Sequence, residues 1–127
     1  MAVAGRVFVS LDCADAMPLA EFWAAMLGGE IMFTTATGTV GVRTDGVWLL
    51  AVEIPGYSPP TWPEADIPKQ IHLDLAVGDL ETAVVESERL GATLAAVQPD
   101  PDRWRVLFDP AGHPFCLTTV TPPDNPF

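Results

Sequence analysis

Basic side chains are scarce: six Lys and Arg stand against 17 Asp and Glu, for a net charge of −11. The six (Arg6, Arg43, Lys69, Arg89, Arg103 and Arg105) form no run that could neutralise a line of phosphates, which excludes nucleic acid and anionic membranes as partners. The acidity reads as solubility ahead of recognition of a cationic ligand. Cysteine is nearly absent, and Cys13 and Cys116 cannot build a disulfide framework. Reduced thiols and a cytoplasmic location are the expectation. No apolar run approaches the roughly 20 residues of a membrane span. Arg6 and Ser10 interrupt the amino terminus before any secretory leader pattern develops. What is present is apolar: 49% hydrophobic residues and a mean hydropathy of +0.27 describe a folded chain. Its 127 residues suit one compact domain, 1–127.

Ile71-His72-Leu73-Asp74-Leu75-Ala76-Val77 alternates with the period of a strand. Ile71, Leu73 and Leu75 fall on one face, His72 and Asp74 on the other. Asp79 then stands as an N-cap before a helical stripe of Leu80, Ala83, Val84, Ser87 and Leu90, which Gly91 stops. Strands follow over Thr93 to Val97, Arg103 to Phe108 and Pro114 to Val120, the last after an Asp109-Pro110-Ala111-Gly112 turn.

The first half has the same order. Val7 to Asp12 reads as a strand and Asp15 as an N-cap. Leu19, Phe22, Trp23, Met26 and Leu27 mark an apolar helical stripe, with Gly28 and Gly29 as left-handed caps. Strands are expected over Glu30 to Thr34, Thr39 to Arg43 and Val47 to Ile54. Asp45-Gly46 signals a hairpin between the last two. Val7 to Ile71 and Asp15 to Asp79 are both 64 apart, Leu27 to Leu90 is 63, and Gly46 to Gly112 is 66. So steady an offset indicates two tandem βαβββ modules, about 6–54 and 70–120, in an α+β fold. Neither module covers both faces of its own sheet, so the pair is expected to cup around a cleft. A proline-rich connector, 55–69, joins them, and an extended tail, 121–127, is expected on the surface. Tyr57 and Trp62 in the connector either cap the cleft or pack against the sheet or a partner subunit.

This pattern resembles the vicinal oxygen chelate superfamily, which includes glyoxalase I, bleomycin-resistance proteins and extradiol dioxygenases. The matching residues are Ile71 to Leu75 with Asp79-Leu80, Leu90-Gly91-Ala92, and Asp109 to Phe115. Asp15, Phe22-Trp23 and Leu27-Gly28 match in the first half, so the likeness runs from about Val7 to Val120. It is nearest to the small glyoxalase-like branch, with Pro59 to Pro63 before the second module and Pro114-Phe115-Cys116 near the end. The resemblance implies a homodimer, for which Trp23, Tyr57 and Trp62 are the candidate contacts.

It also implies a divalent metal held by histidine, glutamate or glutamine on the first and last strand of each module. Carried across the repeat, those positions are Phe8, Leu50, His72 and Cys116, with Ala51 or Glu53 in place of Leu50 if the strand slips. Phe8 and Leu50 offer no lone pair, so the usual set is expected to be absent and no metal or other cofactor is expected. The competing reading is a shifted set of His72, Asp74 and Cys116. Residues two apart on a strand are about 6.6 Å apart, so this set needs favourable rotamers. Cys116 reads as a small core thiol ahead of a nucleophile served by His72. His113 reads as a solvent-facing loop residue ahead of a ligand.

Three functions follow. The leading one is binding of a small organic molecule, of resistance or sequestration type, in an aromatic-lined cleft. Phe8, Ser10, Asp12, Trp48, Leu50, His72, Asp74, Trp104 and Cys116 would line it, with His72, Asp74 and Cys116 as the catalytic candidates. Either Trp104 or Arg105 faces inward, favouring a flat ligand or an anionic one respectively. The second is a metal-dependent lyase, isomerase or dioxygenase with displaced ligands. The third is a structural or interaction module whose cleft its own side chains fill.

Overall fold

A computed structural model of the chain describes residues 2–120. The tail expected to be extended, 121–127, falls outside the described residues. The chain forms two compact units, Met1–Ser58 and Pro59–Phe127, so the last part of the connector belongs to the second.

The first unit runs β1 (Phe8–Cys13), α1 (Ala16–Leu27), β2 (Glu30–Thr34), β3 (Thr39–Arg43) and β4 (Trp48–Glu53). The second repeats it as β5 (Leu73–Ala76), α2 (Leu80–Leu90), β6 (Thr93–Leu94), β7 (Trp104–Phe108) and β8 (Pro114–Thr118). Each unit is a four-stranded mixed sheet, ordered β1-β4-β3-β2 and β5-β8-β7-β6. First and last strands pair in parallel and the remaining pairs are antiparallel.

The backbone registers show the duplication directly. Ser10 lies opposite Leu50, which lies opposite Gly41; Asp74 lies opposite Cys116, which lies opposite Val106. Leu50 is therefore the counterpart of Cys116 with no strand slip. Ala51 is buried, and Glu53 is engaged at the start of α1.

One face of each sheet packs on its helix. Leu11, Cys13, Val42, Leu49 and Ala51 are buried in the unit whose helix contributes Leu19, Phe22 and Trp23. Trp23 is only 2% exposed and meets Phe22 edge to face at 5.1 Å. It therefore cannot serve as a dimer contact, because its indole belongs to the core. In the second unit Leu107, Phe115 and Leu117 are buried, as are Leu80, Val84 and Ser87 of α2. The one polar member of that stripe is satisfied: the Ser87 hydroxyl donates to the Ala83 carbonyl at 2.7 Å.

Helix ends differ from expectation in detail. Asp79 caps α2 through its side chain, accepting from Thr82 N at 2.8 Å. Asp15 holds the extended N-cap backbone of α1 without a side-chain bond, and the Glu53 carboxylate accepts from Ala16 N at 3.2 Å instead. Gly28 is left-handed (φ 62°) as expected, but Gly29 is not; a side chain there would strike the Arg43 carbonyl. The Asp45-Gly46 turn does not use a left-handed glycine either. Thr44 closes it, donating its hydroxyl to the Val47 carbonyl at 2.7 Å and accepting from Gly46 N at 3.2 Å.

Several strands are shorter than the sequence pattern suggests, most of all β6, which stops at Leu94. Beyond it one backbone bond remains, Ala95 N–H to the Val106 carbonyl at 3.0 Å, and the Gln98 side chain continues the pairing. Its amide nitrogen donates to the carbonyls of Ala95 (2.9 Å) and Val106 (2.8 Å), and its oxygen accepts from Val106 N at 2.9 Å.

Gly112 has φ +86°, and an added Cβ would lie 2.7 Å from Cβ of Pro59. Gly112→Ala is expected to cost about 1–3 kcal/mol in chemical denaturation. Gly46→Ala, at a position with open space and no left-handed φ, is expected to stay within about 0.5 kcal/mol of the parent.

Candidate functional site

Strand parity positions the site. On β5, Leu73 and Leu75 take one face, so Asp74, Ala76 and the preceding His72 take the other. Cys116 and Thr118 of β8 stand opposite Asp74 and Ala76, and β7 adds Val106 opposite Cys116. This face forms the floor of a cavity of about 710 Å³. Trp62, Pro99, Trp104 and Val120 make apolar walls, and Lys69 is a cation at its edge.

Trp104, not Arg105, faces the cavity. Arg105 lies on the helix side, where it pairs with Glu81 of α2 at 2.5 Å and donates to the Pro101 carbonyl at 2.6 Å. Trp62 both packs and lines: its ring meets Phe108 at 6.5 Å while forming cavity wall. The loop carrying it is closed by Thr61 N on the Ile67 carbonyl (2.8 Å) and Ile67 N on the Thr61 hydroxyl (3.0 Å).

His72, Asp74, Trp104 and Cys116 thus come together in the second unit. Phe8, Ser10 and Asp12 share one face of the first unit's sheet, with Trp48 and Leu50 directly opposite Phe8 and Ser10. There Phe8 meets Trp48 edge to face at 5.4 Å, and the Arg6 guanidinium sits 3.9 Å above the Trp48 ring. His113 does not line the cavity; its backbone N–H donates to the buried Asp109 carboxylate at 3.0 Å. Sequence reasoning missed Lys69, Ala76, Pro99, Val106, Pro114, Phe115, Thr118 and Val120. Ala76 and Thr118 carried a signal in the strand parity they share with Asp74 and Cys116, and Lys69 carried one as the sole lysine of the chain.

The polar corner is compact. His72 Nε2 lies 3.3 Å from Asp74 Oδ2, with both side chains partly exposed. One donor atom from each of His72, Asp74 and Cys116 falls within 4.8 Å of the others. The Cys116 thiol is pushed up to about 11, first by burial and then by the Asp74 carboxylate, with Lys69 opposing. Such a thiol is protonated at neutral pH, so the arrangement disfavours Cys116 as a nucleophile.

The glyoxalase-like domain model matches residues 8–118. The chain belongs to this family. Its fold is that of the vicinal oxygen chelate superfamily. A fosfomycin resistance protein, FosX, from Mesorhizobium loti is similar in structure, with a TM-score of 0.70 at 12% identity over 94% of each chain. A mutant of FosX from Listeria monocytogenes, complexed with Mn(II) and 1S,2S-dihydroxypropylphosphonic acid, gives 0.69 at 15% identity, over 95% of this chain and 93% of that one. An Arabidopsis thaliana gene product gives 0.64 at 13% identity, covering 93% and 99%. Identities this low establish shared fold and nothing about shared chemistry. No curated protein matches the sequence.

The residues do not fit the metal set that the superfamily resemblance implies. Phe8 and Leu50 hold two of its four positions and have no lone pairs. A thiol at the Cys116 position is a poor ligand for Mn²⁺ or Mg²⁺, which prefer oxygen in octahedral geometry. Among the described residues, His72, Asp74 and Cys116 are the group able to hold an ion.

Cys13 is fully buried, leaving Cys116 as the accessible thiol. With chelator present, alkylation of the folded protein at pH 8 is expected to be slow and confined to Cys116. Asp74→Asn removes a charge that keeps this thiol protonated. It should speed alkylation by up to roughly tenfold for each pKa unit recovered, read by mass spectrometry over time.

Proposed function

We propose that this protein binds a small organic molecule with a flat body in the second unit's cavity, in the manner of a resistance or sequestration protein. The observation carrying this reading is the inward Trp104 within an apolar cavity of about 710 Å³. That volume is within the roughly 300–1,000 Å³ of small-molecule sites. Trp104 supplies a ring face, Trp62 a second wall, and the corner of His72, Asp74 and Cys116 fixes orientation through a few polar contacts. Phe8, Ser10, Asp12, Trp48 and Leu50, expected from the sequence to share the cleft, belong to the first unit and are not among the residues lining this cavity.

A second reading, a metal-dependent lyase, isomerase or dioxygenase with displaced ligands, draws support from the clustered donors of that corner. The Mn(II) complex of one similar structure also supports it. The open cavity weighs against a purely structural module filled by its own side chains. We further infer a homodimer, with Tyr57 and Trp62 as the remaining contact candidates, and a reducing, cytoplasmic setting that suits two free thiols. No helix among the described residues is long and apolar enough to cross a membrane.

A thermal-shift panel of flat aromatic compounds tests the binding reading. A true ligand at 100 times its Kd is expected to add about 2.7 kcal/mol of stability. Trp104→Ala is expected to weaken that ligand at least about tenfold, which is about 1.4 kcal/mol. No stabilisation by any member of the panel would favour the structural module.

A further inference from the structure

The geometry points to a zinc-type site carried entirely by the second unit, with His72, Asp74 and Cys116 as three protein ligands and the fourth position open to the cavity. This inference is independent of whether the cavity takes an organic ligand. It starts from the misfit described above: two of the four implied metal positions have lost their donors, yet a third donor has come close to the two that remain.

That donor is Asp74. It lies directly opposite Cys116 in the parallel β5–β8 pair, so the carboxylate and the thiol rise from neighbouring positions on one face. His72 precedes Asp74 by two residues, which separates their backbones by about 6.6 Å. Their side chains nevertheless converge, bringing Nε2 and Oδ2 to 3.3 Å. Bonds of about 2.0–2.3 Å at tetrahedral angles place donor atoms roughly 3.3–3.7 Å apart. The His72–Asp74 pair already has that spacing, and all three donors lie within 4.8 Å. Half-exposed His72 and Asp74 close the remaining gap by side-chain rotation.

Donor chemistry selects the ion. One imidazole, one carboxylate and one thiolate suit Zn²⁺, which accepts nitrogen, oxygen and sulfur in a four-coordinate site. As the metal–sulfur bond forms, the thiol proton passes to solvent. Thiolate and carboxylate then neutralise the two charges of the cation. Three protein ligands with one open position is the arrangement of a zinc ion that meets an exogenous ligand, here a water or a donor atom on the cavity's guest.

The test uses the full chain, stripped with chelator and titrated with Zn²⁺ and Co²⁺ alone. The expected result is one Zn²⁺ per chain by mass spectrometry and calorimetry. Co²⁺ should give a four-coordinate visible spectrum with a near-ultraviolet thiolate charge-transfer band. Cys116→Ser should abolish that band and weaken Zn²⁺ at least tenfold, while changing Mn²⁺ affinity less than threefold. Asp74→Asn and His72→Ala should each weaken Zn²⁺ at least tenfold. Circular dichroism checks each variant, and Asp74→Asn carries the test if Cys116→Ser does not fold.

Substoichiometric Zn²⁺, a Co²⁺ complex without the sulfur band, or affinity indifferent to Asp74→Asn would overturn the site. Those results would leave the Trp104 ligand assay unaffected, and a silent ligand panel would leave the metal titration unaffected.

Discussion

The parallel pairing of first and last strands is the constraint on which the rest of each unit depends. A helix must cross between β1 and β2, or β5 and β6, and the chain returns through two antiparallel strands before the last one docks beside the first. That topology places residues about 40 apart in sequence side by side, Ser10 with Leu50 and Asp74 with Cys116. Strand alternation does the rest. One face goes to the helix and must be apolar; the other is released from that demand and can carry chemistry.

The two units have used this freedom differently. In the second, the row across the sheet is Asp74, Cys116 and Val106, with His72 and Trp104 beside it. In the first, the matching row is Ser10, Leu50 and Gly41, with the Phe33 ring lying over Gly41 where a side chain would otherwise stand. Phe8 and Trp48 extend that apolar pavement. The duplication therefore holds in the backbone register across three strands of each sheet (β1, β4 and β3; β5, β8 and β7) and is lopsided in chemistry. Among the described residues, the cluster of three donors, His72, Asp74 and Cys116, lies in one half, while the first unit keeps Ser10 and Asp12 on its matching face.

Much of this was readable in the sequence, for physical reasons. The α+β class, the duplicated order of elements and the face each residue takes follow from periodicities of 2 and 3.6 and from capping residues, which act locally. The offsets between halves made Leu50 the counterpart of Cys116, and the strand registers match that reading. What could not be read depends on rotamers or on contacts distant in sequence. Parity alone could not choose between Trp104 and Arg105; the choice rests on Glu81, 24 residues away, which holds Arg105 on the helix side. Convergence of His72 on Asp74 is a side-chain torsion, invisible to spacing. Asp45-Gly46 signalled a hairpin correctly but through the wrong mechanism, because the Thr44 hydroxyl supplied the closure. Trp23 was read both as core and as contact surface, and packing permits only the first.

The Gln98 amide has a consequence for how this cavity can diversify. By bonding to Ala95 and to both backbone groups of Val106, one side chain ties off the sheet before the segment that carries Pro99 and leads to Trp104. The rim from residue 99 to 103 starts from that anchor and is tied again at its far end, where Trp104 N–H donates to the Asp100 carbonyl at 3.0 Å and Arg105 to the Pro101 carbonyl at 2.6 Å. Side-chain exchanges at exposed rim positions therefore alter the mouth of the cavity while the floor of Asp74, Cys116 and Val106 keeps the register that the sheet and Gln98 impose on it.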